Sequence, residues 1–210
     1  MTSNNKSRFY NVFSSVIYNA FIVCLPVLAM NSLFMGTAAI SNSITKFENK
    51  VAIYMTTEYE FFGGKITIPS RITNSFDYFF TYAPITLAAN SRGEKAEWIF
   101  DPTKTDVLEG IANNDYQSIV FIGHGDRKSY TAVDENVTAR DFYDLYNYDC
   151  FVKRKSGSLV KYTCGLGEGH PRELHSIILE NYENGAAFDS TVTFIGIAID
   201  AWIQVLYTKE

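Results

Sequence analysis

Between Phe9 and Thr45 the chain has no Asp, Glu, Lys or Arg, and the only charges ahead of that stretch are Lys6 and Arg8. A run this long without charge is not an ordinary solvated surface element. Cysteine is scarce as well. Three cysteines, Cys24, Cys150 and Cys164, are too few for a disulfide scaffold, and Cys24 lies inside the uncharged stretch, so the remainder can form at most one pair. Basic residues are outnumbered, 18 against 23 acidic, for a net charge of −5 and a pI near 5.3, which argues against binding a phosphate backbone and leaves no nucleic-acid partner. No internal repeat and no coiled-coil heptad is present.

What is present is apolar and aromatic: 47% hydrophobic and 15% aromatic residues over 210 positions, enough to bury a core. The natural partition is an amino-terminal hydrophobic segment, 1–45, and an α/β domain, 46–210. Phe13 to Ile40 has the ~20 residues required to cross a hydrocarbon core of ~30 Å. With Lys6 and Arg8 held in the cytoplasm, the body is expected outside it, membrane-anchored or exported. Gly36, Ala38 and Ala39 before Ser41-Asn42-Ser43 offer a signal-peptidase alternative, and a helix buried in the fold is the third reading.

The body reads as alternating strand and helix. Val51 to Glu58 is β-branched and aromatic, a first strand, followed by a hairpin or insertion around Gly63-Gly64. Ser75 to Asn90 has helical spacing and an expected break at Pro84. Glu97 to Phe100 is a short strand. Thr103 with Asp106, and Thr138 with Asp141, are capping-box openings of two helices. Ser118 to Ile122 and Ser158 to Thr163 are strands, the second disturbed by Lys161, which suggests an exposed or edge position. Pro171 is expected to open a helix carrying Leu174, Ile177, Ile178 and Tyr182 and closed by Gly185. Thr191 to Ile199 reads as the last strand. The fold class is α/β, a mostly parallel central sheet with helices on both faces, preceded by an amino-terminal hydrophobic helix.

Reactive side chains in such folds collect at the carboxyl ends of strands. His124 follows SIVFIG and Cys164 follows SLVKYT; if those strands are parallel neighbours, an imidazole faces a thiol. A free thiol, with a pKa of ~8.5, needs such a base to become a thiolate at neutral pH. Gly125 and Gly165 leave backbone N–H groups open to a substrate carbonyl. The plainer readings are a small buried cysteine, a histidine in a turn, or a Cys150–Cys164 disulfide.

The succession IVFIGHGD, VTARDFYDL, KYTCGLGEG resembles the caspase-like cysteine peptidases, most closely the CHAT domains, over about Val51 to Trp202. The resemblance implies a three-layer caspase-like sandwich and a thiol protease acting on polypeptide substrates. It implies His124 as general base, Cys164 as nucleophile, and the N–H groups of Gly125 and Cys164 around the oxyanion. Tyr162-Thr163 departs from the small residues such families place before the cysteine. Asp200, beyond the strand expected after Cys164, is the candidate acceptor of a basic substrate side chain. A catalytically silent interaction module on the same fold is the alternative. No cofactor is implied. A zinc site from Cys150, Cys164, His170 and His175 fits no standard ligand spacing, so no metal is assigned and both histidines are expected at the surface. Lys153-Arg154-Lys155 is expected as a solvated basic tip or a self-processing site.

Overall fold

The computed structural model describes residues 3–57, 59–61, 66–68, 70–125, 128–148, 151–163, 173–187 and 194–207. Nine strands and six helices are among them: α1 (Ser3–Ile44), β1 (Asn49–Thr56), β2 (Tyr59–Phe61), β3 (Ile66–Ile68), α2 (Ser70–Ser91), β4 (Glu94–Phe100), α3 (Lys104–Ala112), β5 (Tyr116–Gly123), β6 (Ser129–Thr131), β7 (Asn136–Thr138), α4 (Ala139–Tyr148), β8 (Leu159–Tyr162), α5 (Glu173–Ile178), β9 (Gly185–Ala187) and α6 (Phe194–Tyr207).

Five strands form one parallel sheet in the order β4-β1-β5-β8-β9. Side chains of a strand alternate between faces, and the core divides accordingly. Ala52, Tyr54, Ile119, Phe121 and Leu159 meet Val107, Ile111, Phe142, Leu174 and Ile178 from α3, α4 and α5. Val51, Ile53, Met55, Val120, Ile122, Val160 and Tyr162 meet Ile85 and Ala89 of α2 and Ile197 and Ala201 of α6. This is the expected α/β fold with a parallel sheet covered on both faces. The antiparallel hairpin β2–β3 occupies the expected insertion.

Both capping boxes are present. Thr103 and Asp106 exchange bonds at the start of α3. At α4 the Asp141 carboxylate accepts from the Thr138 N–H at 2.8 Å and from its hydroxyl at 2.7 Å. Each satisfies backbone donors that the first helical turn leaves without a partner.

Several expectations are corrected. Residues 194–199 are helical, the start of α6, so the strand expected over Thr191 to Ile199 is absent among the described residues, and the strand following β8 is β9. A short apolar run does not distinguish a strand from a buried helix; this one lies between the sheet and α1, where Phe34 meets Trp202 edge-to-face at 5.0 Å. Helix α2 is continuous through Pro84, because Asp77, Thr81 and Ala83 before it and Ile85, Ala88 and Ala89 after it are buried, on both sides of one lost hydrogen bond. Lys161 is buried, not exposed, since β8 has β5 on one side and β9 on the other. The helix expected from Pro171 to Gly185 shrinks to α5, and Gly185 opens β9; Pro171 itself lies outside the described residues.

Helix α1 is not separate from the body. The Asn42 side chain donates to the Ala96 carbonyl at 2.9 Å and accepts from its N–H at 2.8 Å, covering part of the open edge of β4. The Asn31 amide donates to the Phe79 carbonyl, and the Asn90 amide lies 3.0 Å from Ser41 Oγ.

Candidate active site

The chain order of the sheet fixes where a cleft can form. From β1 the chain crosses by α2 to β4 on one side; from β5 it crosses by α4 to β8 on the other, and the two helices lie on opposite faces. The carboxyl ends of β1 and β5 therefore flank the topological switch point, the usual ligand crevice of an open parallel sheet. A cavity of about 580 Å³ lies there, lined by Thr56 at the end of β1, by His124 just beyond β5, and by Thr131 to Asn136 of the β6–β7 hairpin.

His124 is exposed at this cavity and stands between two glycines of unusual backbone. Gly123 has φ 138° and Gly125 has φ 156°. A Cβ at 123 would lie 1.8 Å from the Thr56 carbonyl oxygen, and one at 125 would lie 2.5 Å from that of Ser129. Only glycine reconciles these turns with such close backbone approach. The histidine carbonyl accepts from the Thr131 N–H at 3.0 Å, and Gly125 bridges Tyr130, so the turn is anchored on the β6–β7 hairpin. Tyr130 in turn donates to Thr56 Oγ1 at 3.1 Å and stacks on Phe121 at 4.6 Å. Burial holds its phenol well above the usual tyrosine range, a neutral donor at physiological pH.

The expected neighbours are neighbours. Strands β5 and β8 pair in parallel, Ile119 to Leu159, Val120 to Val160, Phe121 to Lys161 and Ile122 to Tyr162. Each pair is forty residues apart in sequence, the separation of His124 and Cys164. Cys164 lies outside the described residues, as do Cys150 and His170. Their mutual distances, and the Cys150–Cys164 disulfide, are therefore not part of this geometry. Gly125, the other expected oxyanion donor, sits one residue past the imidazole.

Asp200 is not at a strand end. It lies in α6, and its carboxylate accepts from the Tyr162 hydroxyl at 2.7 Å, two residues before Cys164. His175 is fully buried rather than at the surface. It packs where α5 meets β9, and a Cβ at Gly185 would fall 2.2 Å from its Nδ1. Lys155 is also buried, 2% exposed; its Nζ donates to the Asn113 carbonyl at 2.7 Å, and desolvation lowers its pKa to about 8. It is thus no part of a solvated tip.

Sequence reasoning missed Thr56, Asp134 and Glu135 at the cavity. Asp134 accepts from the Lys104 N–H at 2.7 Å, whereas the Glu135 side chain is 66% exposed and reaches Lys104 Nζ at 3.4 Å. The available signal was the acidic pair in a loop that must return to the histidine turn, but only the hairpin pairing brings it there.

No family model and no curated protein matches the chain. Among solved structures, caspase-1 from Spodoptera frugiperda aligns over 60% of this chain with 12% identity and a TM-score of 0.38. The alignment covers 55% of the caspase, so the chain spans about half the length of that protein.

Proposed function

We propose that the chain is a membrane-anchored cysteine endopeptidase in which His124 and Cys164 form the catalytic dyad. The observation that carries this reading is the parallel pairing of β5 with β8, whose common register ends two residues before each of these side chains. The histidine takes the thiol proton, and the thiolate attacks the scissile carbonyl. The N–H groups of Gly125 and Cys164 receive the oxyanion. The imidazolium returns its proton to the departing amine, leaving a thioester, which a water molecule deprotonated by the same imidazole hydrolyses.

Glu135 gives the cavity a negative rim, which favours substrates with a basic side chain. Asp200 remains a second acceptor of such a side chain, now as a helix residue held by Tyr162. Among the described residues one helix is long and apolar enough to cross a membrane, with a window over Leu25–Ile44 of mean hydropathy 1.2 that is 6% buried. Because Asn31 to Asn42 bind the body, the segment we assign to the bilayer is the uncharged part of α1 ahead of Asn31. Its 22 residues from Phe9 to Met30 make ~33 Å of helix, the last nine of them alongside the exposed apolar start of α2, which enters the interfacial layer with them, and Lys6 and Arg8 stay in the cytoplasm.

The test is hydrolysis of a mixture of peptides by the full chain reconstituted in vesicles. Cleavage is expected, and C164A and H124A should each abolish it while leaving the circular-dichroism spectrum unchanged. Cleavage that survives C164A overturns the proposal. A biological effect that survives C164A selects the catalytically silent module.

A further inference from the structure

The direction of α1 relative to the sheet has a consequence for the substrate. Asn31 of α1 meets Phe79 of α2, and Ser41 meets Asn90. Contacts advance by ten residues on one helix and eleven on the other, so the two helices run parallel. The first turn of α2 is tied to the carboxyl end of the sheet. Asn74 Oδ1 accepts from the N–H and the hydroxyl of Thr57, just past β1, at 2.7 Å each. Asn74 Nδ2 donates to Asp101, just past β4, at 2.7 Å. Thr73 donates to the Thr57 carbonyl. Both helices therefore point their amino ends toward the carboxyl edge, the edge that carries His124.

Counting back from the Asn31–Phe79 contact at equal rise, the start of α2 at Ser70 is level with residue 22 of α1. Helix α1 continues from there to Ser3, a projection of ~28 Å at 1.5 Å per residue. That projection extends beyond the carboxyl edge, not the amino edge. At its root the surface is apolar on both helices: Ile22, Leu25, Val27, Met30 and Ile72 are each more than half exposed and Phe76 is half exposed. Exposed apolar side chains on both helices at the base of an uncharged helix, on the same side as the projection, match the interfacial zone of a bilayer.

We infer that the carboxyl edge of the sheet faces the membrane, with Ile72 and Phe76 at its surface, so that the cavity beside His124 receives polypeptide segments lying immediately outside a bilayer. This rests on the anchor assigned above. Its substrate class is the membrane-proximal stretch of another membrane-bound chain, in preference to free soluble peptides.

The two edges of the sheet are far enough apart to be told apart, since the eight residues of β1 at ~3.3 Å each span roughly 26 Å. A fluorescent label is placed on Val133→Cys, an exposed residue of the cavity, or on Glu183→Cys, an exposed residue just ahead of β9 at the amino edge. The full chain carries C24S, C150S and C164S and is reconstituted in phosphatidylcholine vesicles with a nitroxide on the lipid headgroup. The label at 133 should lose most of its emission while that at 183 keeps its own; aqueous iodide should quench both in detergent, which verifies accessibility in each variant. Equal quenching, or stronger quenching at 183, overturns the inference while leaving the anchor intact. A chain that fails to float with the vesicles removes the anchor and the inference together. Neither readout depends on catalysis, so the peptidase proposal is judged separately.

Discussion

The two faces of the sheet are covered by helices of different chemistry. On one face α3 and α4 begin with capping boxes and present charged outer surfaces, joined by the Lys104–Asp141 ion pair at 2.8 Å. On the other, α2 and α6 are apolar helices, with α1 packed against α2 and meeting α6 through Phe34 and Trp202. Ile199 and Ile203 of α6, like Ile72 and Phe76 of α2, are exposed. The first face meets water through charged side chains; the second exposes apolar ones. A helix apolar all round is stable only when covered.

The largest contrast should come from truncating one aromatic on each face. Phe142→Ala removes a fully buried ring from the water-facing side and is expected to cost about 3–5 kcal/mol. Phe76→Ser alters a half-exposed ring and should change stability by less than ~0.5 kcal/mol, yet weaken vesicle binding. Urea titration and vesicle flotation measure the pair; a large stability loss at Phe76 would mean that its face is a covered core.

Next comes the charge buried beneath the first face. Lys155, held near 8 against an ordinary 10.5, binds fewer protons in the folded chain than in the unfolded one. Stability should therefore rise between pH 8 and 10, by on the order of 2 kcal/mol. Above pH 10 it should fall, because burial raises Tyr54, Tyr130 and Tyr146 above the ordinary tyrosine value and only the unfolded chain ionises them. Lys155→Met should flatten the rise but keep the fall. Chemical denaturation as a function of pH gives both limbs.

The smallest pair compares two helical glycines. A Cβ at Gly110 of α3 would fall 1.6 Å from the Tyr54 hydroxyl, so Gly110→Ala should cost about 1–3 kcal/mol. At Gly36 of α1 nothing lies within 4 Å, so Gly36→Ala should stabilise by roughly 0.5–1 kcal/mol. Thermal unfolding of both variants checks the signs.

The same contrast explains what the sequence made legible. Capping residues are local, so Thr103–Asp106 and Thr138–Asp141 mark α3 and α4 without knowledge of the fold. Four strands of the parallel sheet, β1, β4, β5 and β8, read from β-branched and aromatic apolar runs, whereas β9, Gly-Ala-Ala, carries no such signal; the neighbouring placement of β5 and β8 follows from the chain order. On the apolar face the local signal is ambiguous: FIGIAI reads as strand or buried helix, and the packing of Trp202 on Phe34 decides. His175, Lys155 and Lys161 were expected at the surface or an edge because they are polar. Each is buried by tertiary packing that no local signal announces, α5 against β9 for the first, Asn113 at the end of α3 for the second and β9 beside β8 for the last. Thr56 and Glu135 were invisible as site residues because only the β1–β5 pairing and the β6–β7 hairpin bring them beside His124.

The proposed dyad requires neighbouring strands to deliver an imidazole to the thiol of Cys164. Its most direct test is the pH dependence of iodoacetamide alkylation of Cys164, followed by peptide mapping in the wild-type chain and in H124A. The wild type should react with a midpoint well below ~8.5, the value of a free thiol, and H124A should return to that value. Superimposable profiles in the two proteins would contradict the dyad.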